Sequence, residues 1–509
     1  MLRHTAAITS SAIALSMAAL MMGSASAATL PSMNLTSTKH TVAAGSLPNF
    51  QSATITVGSR ALRVGSGTQL TPAEAIALQQ VLQSGHQSLI IGRSGNATGG
   101  LFTMDGSSQQ GSDLILPKGV IGIDTFSTDA GSVFSGNLVN GGTLYAVSSN
   151  VAVTSVAVQA NNITNLHGGT ISTILPNGLT ATKPATDMLA LSLTANGAFA
   201  NYGVIKSIGA LTFNSGKSIL NTGVIAAQND ITLNAGGGLT NNGLICSTAG
   251  NVTFSAPAVA KVDVKSTGTI EALVGSISFV GQGTSQWTFQ GGNYLSRELN
   301  FNLGGGSGTA KPAEVTGVVD ATADNMYLQM NVPSLRIGTW NVTGKPVVLN
   351  TGNVWLESIV TNGAPIVVLS QQNITSAAQM HLCTASANGP SGDITLLAGA
   401  KYTFDKSGNV VLHGKASAGG IVDCSLSSDM SIDTSSDTGA GGTVNIGAFA
   451  GNGNGSGRVL LPATYDINTC SGNGKPSGLV CVNADTPVSA TVIGDDDLVI
   501  DTETDASNG

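Results

Sequence analysis

The residues best equipped for chemistry are few, and they cluster. All three tryptophans, Trp287, Trp340 and Trp355, lie in one stretch, with Arg297 and Arg336 among them. Over Val354-Trp355-Leu356-Glu357 a strand-like alternation puts Val354 and Leu356 on one face and Trp355 with Glu357 on the other. Trp355 is therefore expected to meet solvent, where an indole can stack on a sugar ring or anchor a protein partner. Trp355, Trp340, Trp287 and Arg336 are the candidate ligand-binding residues. The competing expectation is that these large aromatics are mostly buried and fill wide corners of the fold.

Catalytic constellations are harder to find. Glycoside hydrolysis needs two carboxylates ~5–9.5 Å apart across one bond, yet Asp187 is the only acid between residues 131 and 229. Elimination on uronates would want an arginine base beside calcium-binding acids, and no arginine occurs from 94 to 296. Gly494-Asp495-Asp496 has the form of a polysaccharide-hydrolase motif but opens an acidic tail without a His-Gly partner segment. His86, His167, His381 and His413 have no Ser/His/Asp-like context in the sequence. No catalytic residue is assigned. With neither a Cys-x-x-Cys pair nor a Cys/His cluster, no metal and no cofactor is expected.

The elements that would position such residues announce themselves by repetition. Asn201-Tyr-Gly203-Val-Ile205, Asn221-Thr-Gly223-Val-Ile225 and Asn241-Asn-Gly243-Leu-Ile245 recur every 20 residues. Weaker copies stand at Asn140-Gly-Gly142-Thr-Leu144, His167-Gly-Gly169-Thr-Ile171 and Ser266-Thr-Gly268-Thr-Ile270. Between them runs a second alternation: Leu211-Thr-Phe213, Ile231-Thr-Leu233, Val252-Thr-Phe254 and Ile277-Ser-Phe279. A period near 20 with apolar residues at every second position is one coil of a β-solenoid. Stacked at about 4.8 Å, Ile205, Ile225 and Ile245 form one inward column, and Phe213, Leu233 and Phe254 another. Asn201, Asn221 and Asn241 are placed to form a side-chain ladder. Gly203, Gly223 and Gly243 are expected to supply positive φ at a sharp corner. No single coil can bury its apolar side, so each depends on its neighbours.

These same residues carry a resemblance. The Asn-x-Gly-x-Ile corner, followed by Asp230-Ile-Thr-Leu233-Asn-Ala-Gly236, looks like the haemagglutinin repeats of filamentous-haemagglutinin-type exoproteins, and Gly392-Asp-Ile-Thr-Leu396-Leu-Ala398 is similar again. The resemblance is clearest over residues 116–280. It implies a right-handed parallel β-helix, export to the cell surface, and a role in adhesion or contact with other cells. Such proteins usually carry an Asn-Pro-Asn-Gly-Ile type motif read by a partner outer-membrane transporter. The nearest string here, Leu175-Pro176-Asn177-Gly178-Leu179, lacks the first Asn and the Ile, so the motif for that partner is incomplete.

Composition sets the outer bounds. The chain has 509 residues, only 9% of them charged, with 66 glycines and a net charge of -8. At 41% hydrophobic it is too apolar to be disordered throughout. Its 20 Lys+Arg against 28 Asp+Glu give no basic footprint for nucleic acid. Residues 1–27, with Arg3, an apolar run and Ala25-Ser26-Ala27, read as a signal peptide. Residues 28–115 read as an N-terminal cap with one helix over about 72–84, opened by the capping box Thr71-Pro72-Ala73-Glu74. Regular repeats are expected over 116–300 and an irregular solenoid over 301–494, with Gly/Asn-rich loops from 436 to 457. An acidic, solvated tail is expected over 495–509.

In an exported chain, Cys470 and Cys481, which bracket Ser-Gly-Asn-Gly-Lys-Pro-Ser-Gly, are the candidate disulfide. Cys383 with Cys424 is an alternative, and Cys246 is expected inward as a small buried residue. The expected function is a secreted or surface β-solenoid, non-catalytic, acting as adhesin or stalk and binding surface glycans or proteins of a host or neighbouring cell through its side. A β-helix polysaccharide lyase or hydrolase, or a structural matrix or envelope component, is the alternative.

Overall fold

In the computed structural model the described residues are 189–485 apart from 260, 405–409, 452–456 and 473, most of 131–174, and a few short strands outside those ranges. The fold is all-β, a parallel β-solenoid as the repeats require. Among the described residues no helix is long and apolar enough to cross a membrane. The signal peptide, the 72–84 helix and the Leu175–Leu179 string lie outside the described residues. The chain divides into two units: residues 1–255 with 267–275, and residues 256–266 with 276–509.

In the first unit each regular coil has three strands. Phe199–Asn201, Val204–Ser207 and Leu211–Ser215 make one coil, and Ile219–Asn221, Val224–Ala227 and Ile231–Ala235 the next. Each strand pairs in parallel with its counterpart one coil on, in unbroken register. Register alone then builds the columns: Leu144, Ile171, Ile205, Ile225, Ile245 and Ile270 stack in order. Leu193, Phe213, Leu233 and Phe254 form the second column. All ten are buried, each stabilising its coil by about 1.5–3 kcal/mol. Phe199 closes the corner edge-on to Phe213, with ring centroids 4.7 Å apart.

The asparagine ladder is present and longer than the motif suggested. Asn140, Asn165, Asn201 and Asn221 each donate from Nδ2 to Oδ1 of the next, ending at Asn241, at 2.7–2.8 Å. All five are fully buried. Asn165, not His167, holds the ladder position in its coil. Two extra residues widen that corner and leave His167 exposed, its ring 5.8 Å from that of Tyr202.

The corner glycines need correction. Gly203, Gly223 and Gly243 are not among the residues with positive φ. Glycine is required there for space: a Cβ would lie 2.2, 1.9 and 2.0 Å from the carbonyl oxygen of the corner glycine one coil earlier. The coils approach so closely that no side chain fits.

The second unit keeps the parallel pairing and drops the Asn-x-Gly corner. Tyr327, Val347 and Val367 still stand in register at a 20-residue step. An aromatic cluster fills its interior, with Phe289 4.8 Å from both Phe279 and Phe301. An antiparallel hairpin, Ala400–Phe404 with Val410–Lys415, interrupts the solenoid. Its Tyr402 packs on Leu349 and Leu369, which face away from the solenoid interior. Within the stretch expected as loops, Val444–Phe449 is a strand paired to Ile394–Ala398 and Val480–Asp485. Within the acidic tail, Val499–Asp501 is a strand beside Tyr465–Asn468.

The expected Cys470–Cys481 bridge is not formed: all five cysteines are present as thiols. The loop between the two is closed instead by a pair of hydrogen bonds, Gly478 N–H donating to Thr469 O and the Thr469 hydroxyl to Gly478 O. Cys481 is committed to its strand pairing opposite Asn445. Cys383 and Cys424 are likewise unbridged. Cys246 is buried, but on the opposite face of its strand from Ile245, against Ala226.

Candidate functional site

Five strands of the second unit, Glu298–Asn302, Val318–Ala323, Ser334–Val342, Asn353–Val360 and Ile374–Cys383, lie side by side in parallel. Their inward residues are apolar and buried, for example Leu299, Val319, Ile337, Leu356 and Ile374. Period-2 alternation sends Glu298, Val318, Arg336, Trp355 and Thr375 outward, in register on successive strands.

Of the four candidate ligand-binding residues the structure brings two together. The Arg336 guanidinium lies over the Trp355 ring, 4.5 Å from its centroid. Arg336 is exposed and Trp355 half-buried, so the pair is a cation–π platform at the surface. The other two are core residues. Trp340 is fully buried and its Nε1 donates to Val319 O at 2.9 Å. Trp287 is buried and stacked on Phe289, ring centroids 5.7 Å apart. Here the bland expectation for large aromatics holds, while Trp355 escapes it.

A bulge adds what sequence reasoning missed. The register between Val318–Ala323 and Ser334–Val342 slips after Val319, so that one residue, Asp320, faces two, Gly338 and Thr339. The Thr339 N–H donates to Asp320 Oδ1 at 2.6 Å. Gly338 leaves room for that carboxylate, since a Cβ there would lie 2.4 Å from Asp320 Oδ1. Bulges commonly re-aim a side chain in this way. Burial raises the Asp320 pKa above the ordinary carboxylate value, the charges of Glu298 and Glu357 raise it further, and the Thr339 hydrogen bond works against them. Three carboxylates thus share a face with one guanidinium. Among the described residues the ion pair Lys261–Asp263 does not involve them, and Arg336 keeps its N–H edge for solvent or a ligand.

The histidines gain neighbours but no relay. Ser358, His381, Ser431 and Asp466 occupy one outward column on successive strands. No side-chain hydrogen bond joins them, so the geometry does not form a nucleophilic triad. Cys383, beside His381 on the same face, has its thiol pKa pushed up by burial and by Asp433, which disfavours the reactive thiolate. Among the described residues no group of histidine, cysteine and acidic side chains is arranged to hold a metal ion.

The fold and this surface define a parallel β-solenoid with an aromatic–guanidinium platform on one outer face. No family model, characterised protein or solved structure matches the chain.

Proposed function

We propose that the chain is an exported, surface-associated β-solenoid of the haemagglutinin-repeat type that binds a glycan or protein ligand through its side. The observation that carries this reading is the Arg336–Trp355 platform: an outward indole with a guanidinium over it, held on rigid strands rather than a loop. The guanidinium offers hydrogen-bond donors to hydroxyl or carbonyl oxygens. Asp320 and Glu357 offer acceptors to hydroxyls. The acid excess on this face disfavours anionic chains, so a neutral or amino-bearing ligand fits best. The incomplete transporter motif leaves the resemblance as support for export, together with the signal-peptide-like start. The test is retention on immobilised neutral, amino and acidic glycans and on whole cells. Trp355→Ala and Arg336→Ala are expected to lose retention on one ligand class while keeping the circular-dichroism spectrum. Unchanged retention by both variants would remove the platform from the reading.

A second reading rests on Asp320. With its pKa raised it could give a proton to a leaving glycosidic oxygen. Glu357, two strands away and hence about 10 Å off across the sheet, could take one from water in an inverting hydrolysis. Reducing ends released from a polysaccharide by the native chain, and none by Asp320→Asn, would favour this reading over simple adhesion.

A further inference from the structure

We propose that another stretch of surface, sharing no residue with the Arg336 site, is an ice-binding surface: the outer side of Ala190–Ala195, Leu211–Ser215, Ile231–Ala235 and Val252–Ser255. These four strands run in unbroken parallel register. Two outward columns result. Ser192, Thr212, Thr232 and Thr253 form one; Thr194, Asn214, Asn234 and Ser255 form the other. All eight side chains are hydrogen-bonding, uncharged and half-exposed, and none of the four strands contains a charged residue.

Two features hold these side chains in place. Asn234 Nδ2 donates to Asn214 Oδ1 at 2.9 Å, and Asn214 Nδ2 to Thr194 Oγ1 at 3.2 Å. Side-chain ladders of this kind are what stabilise untwisted sheets. Behind them Leu193, Phe213, Leu233 and Phe254 are packed to near-zero exposure, and threonine is itself stiff at χ1. The surface is therefore a two-dimensional grid, repeating about 4.8 Å across strands and about 6.6 Å along them.

The choice of occupant follows from what the face lacks. A hydrogen bond to a dissolved ligand replaces one to water and nets only ~0.5–1.5 kcal/mol. With Phe213 and Phe254 turned inward and no aromatic ring among the eight outward positions, a soluble sugar or peptide gains little here. Ice avoids the exchange, because the water held by the grid is itself the ligand. Hexagonal ice presents oxygen rows with repeats close to both grid spacings. The eight grid positions carry no charge and impose no ionic hydration shell; Asp230 borders them one outward position before Thr232, where its Oδ1 accepts from Asn251 N–H at 2.7 Å.

The experiment is partition into slowly grown ice from a stirred, dilute solution of the folded chain. The native chain is expected in the ice several-fold above a size-matched protein without ice affinity. Thr232→Tyr, which raises a ring from the middle of the grid, is expected to fall to background. Thr240→Tyr, on an outward position of Leu239–Asn241 in a different sheet, is expected to partition like the native chain. Thr253→Tyr provides a second grid variant if circular dichroism shows that Thr232→Tyr does not fold. Exclusion of the native chain from ice overturns the proposal. So does equal retention of the native chain and the grid variants.

Discussion

Replacing Asn221 by alanine should open the solenoid locally by far more than a polar-to-alanine change on its surface. Asn221 sits in mid-ladder: its Oδ1 accepts Asn201 Nδ2 and its Nδ2 donates to Asn241 Oδ1, each at 2.8 Å, and also to Leu244 O at 3.2 Å. The site is fully buried, so water cannot take over these bonds. Two ladder bonds at about 1 kcal/mol each, with the desolvation of the groups left behind, give a cost of about 3 kcal/mol. Solenoid coils open locally rather than all at once, so the assay is amide hydrogen exchange over residues 199–247. A change of about 3 kcal/mol raises local opening on the order of a hundredfold. The comparison is Asn234→Ala, which breaks a similar bond to Asn214 at 2.9 Å on the half-exposed outer face. Water can replace that partner, and the cost should be about 1 kcal/mol or less. Equal exchange in the two variants would refute the claim that burial, rather than the bond itself, sets the value of the ladder.

Further predictions test other parts of the fold. Gly223→Ala places a Cβ 1.9 Å from Gly203 O, so the two coils must part; a loss of about 1–3 kcal/mol is expected in the same exchange measurement. Burial raises the Glu271 pKa above its ordinary 4.5, with a hydrogen bond from Cys246 acting in the opposite direction. The folded state therefore holds that proton more tightly than the unfolded one, a contribution complete below the ordinary value and lost as pH rises through the raised one. The native chain should lose Tm from about pH 4.5 toward neutrality more steeply than Glu271→Gln, which cannot ionise; parallel curves would contradict this. Burial also pushes the thiols of Cys246 and Cys424 up to about 12. In mildly alkaline buffer both should resist alkylation until the chain is unfolded, while the half-buried Cys383, Cys470 and Cys481 react first, as read by peptide mass spectrometry.

What the sequence reveals here is whatever repeats. Ile205, Ile225 and Ile245 recur at a fixed step, so their column can be placed without coordinates, and the ladder asparagines follow with them. Trp355 is also legible, because four residues of clean alternation decide which way it points. Features that depend on contact between coils are not legible. The glycine at 223 suggests a turn conformation when read along the chain; only the neighbouring carbonyl shows that space is the reason. Asp320 looks like any outward acid until the register slip at Gly338 turns it toward Thr339 N–H. The hairpin over Leu349 and Leu369 is hidden for a similar reason, since an outward apolar residue and an inward one look alike in a strand. Cys470 and Cys481 mislead because closeness in sequence suggested a bridge that the corner's own hydrogen bonds make unnecessary.

The constant 20-residue step has a consequence for how such a chain can change. Excising residues 202–221 would join Asn201 to Thr222, and the following residues would take over, in register, the partners in the previous coil that the excised ones have now. Asn201 would then donate to Asn241, and Ile205's place in its column would pass to Ile225. Duplication of the same segment adds a coil by the same logic, with every ladder bond remade. Recombination between repeated stretches of the coding sequence can therefore lengthen or shorten the array in whole steps, each product inheriting a register that already fits.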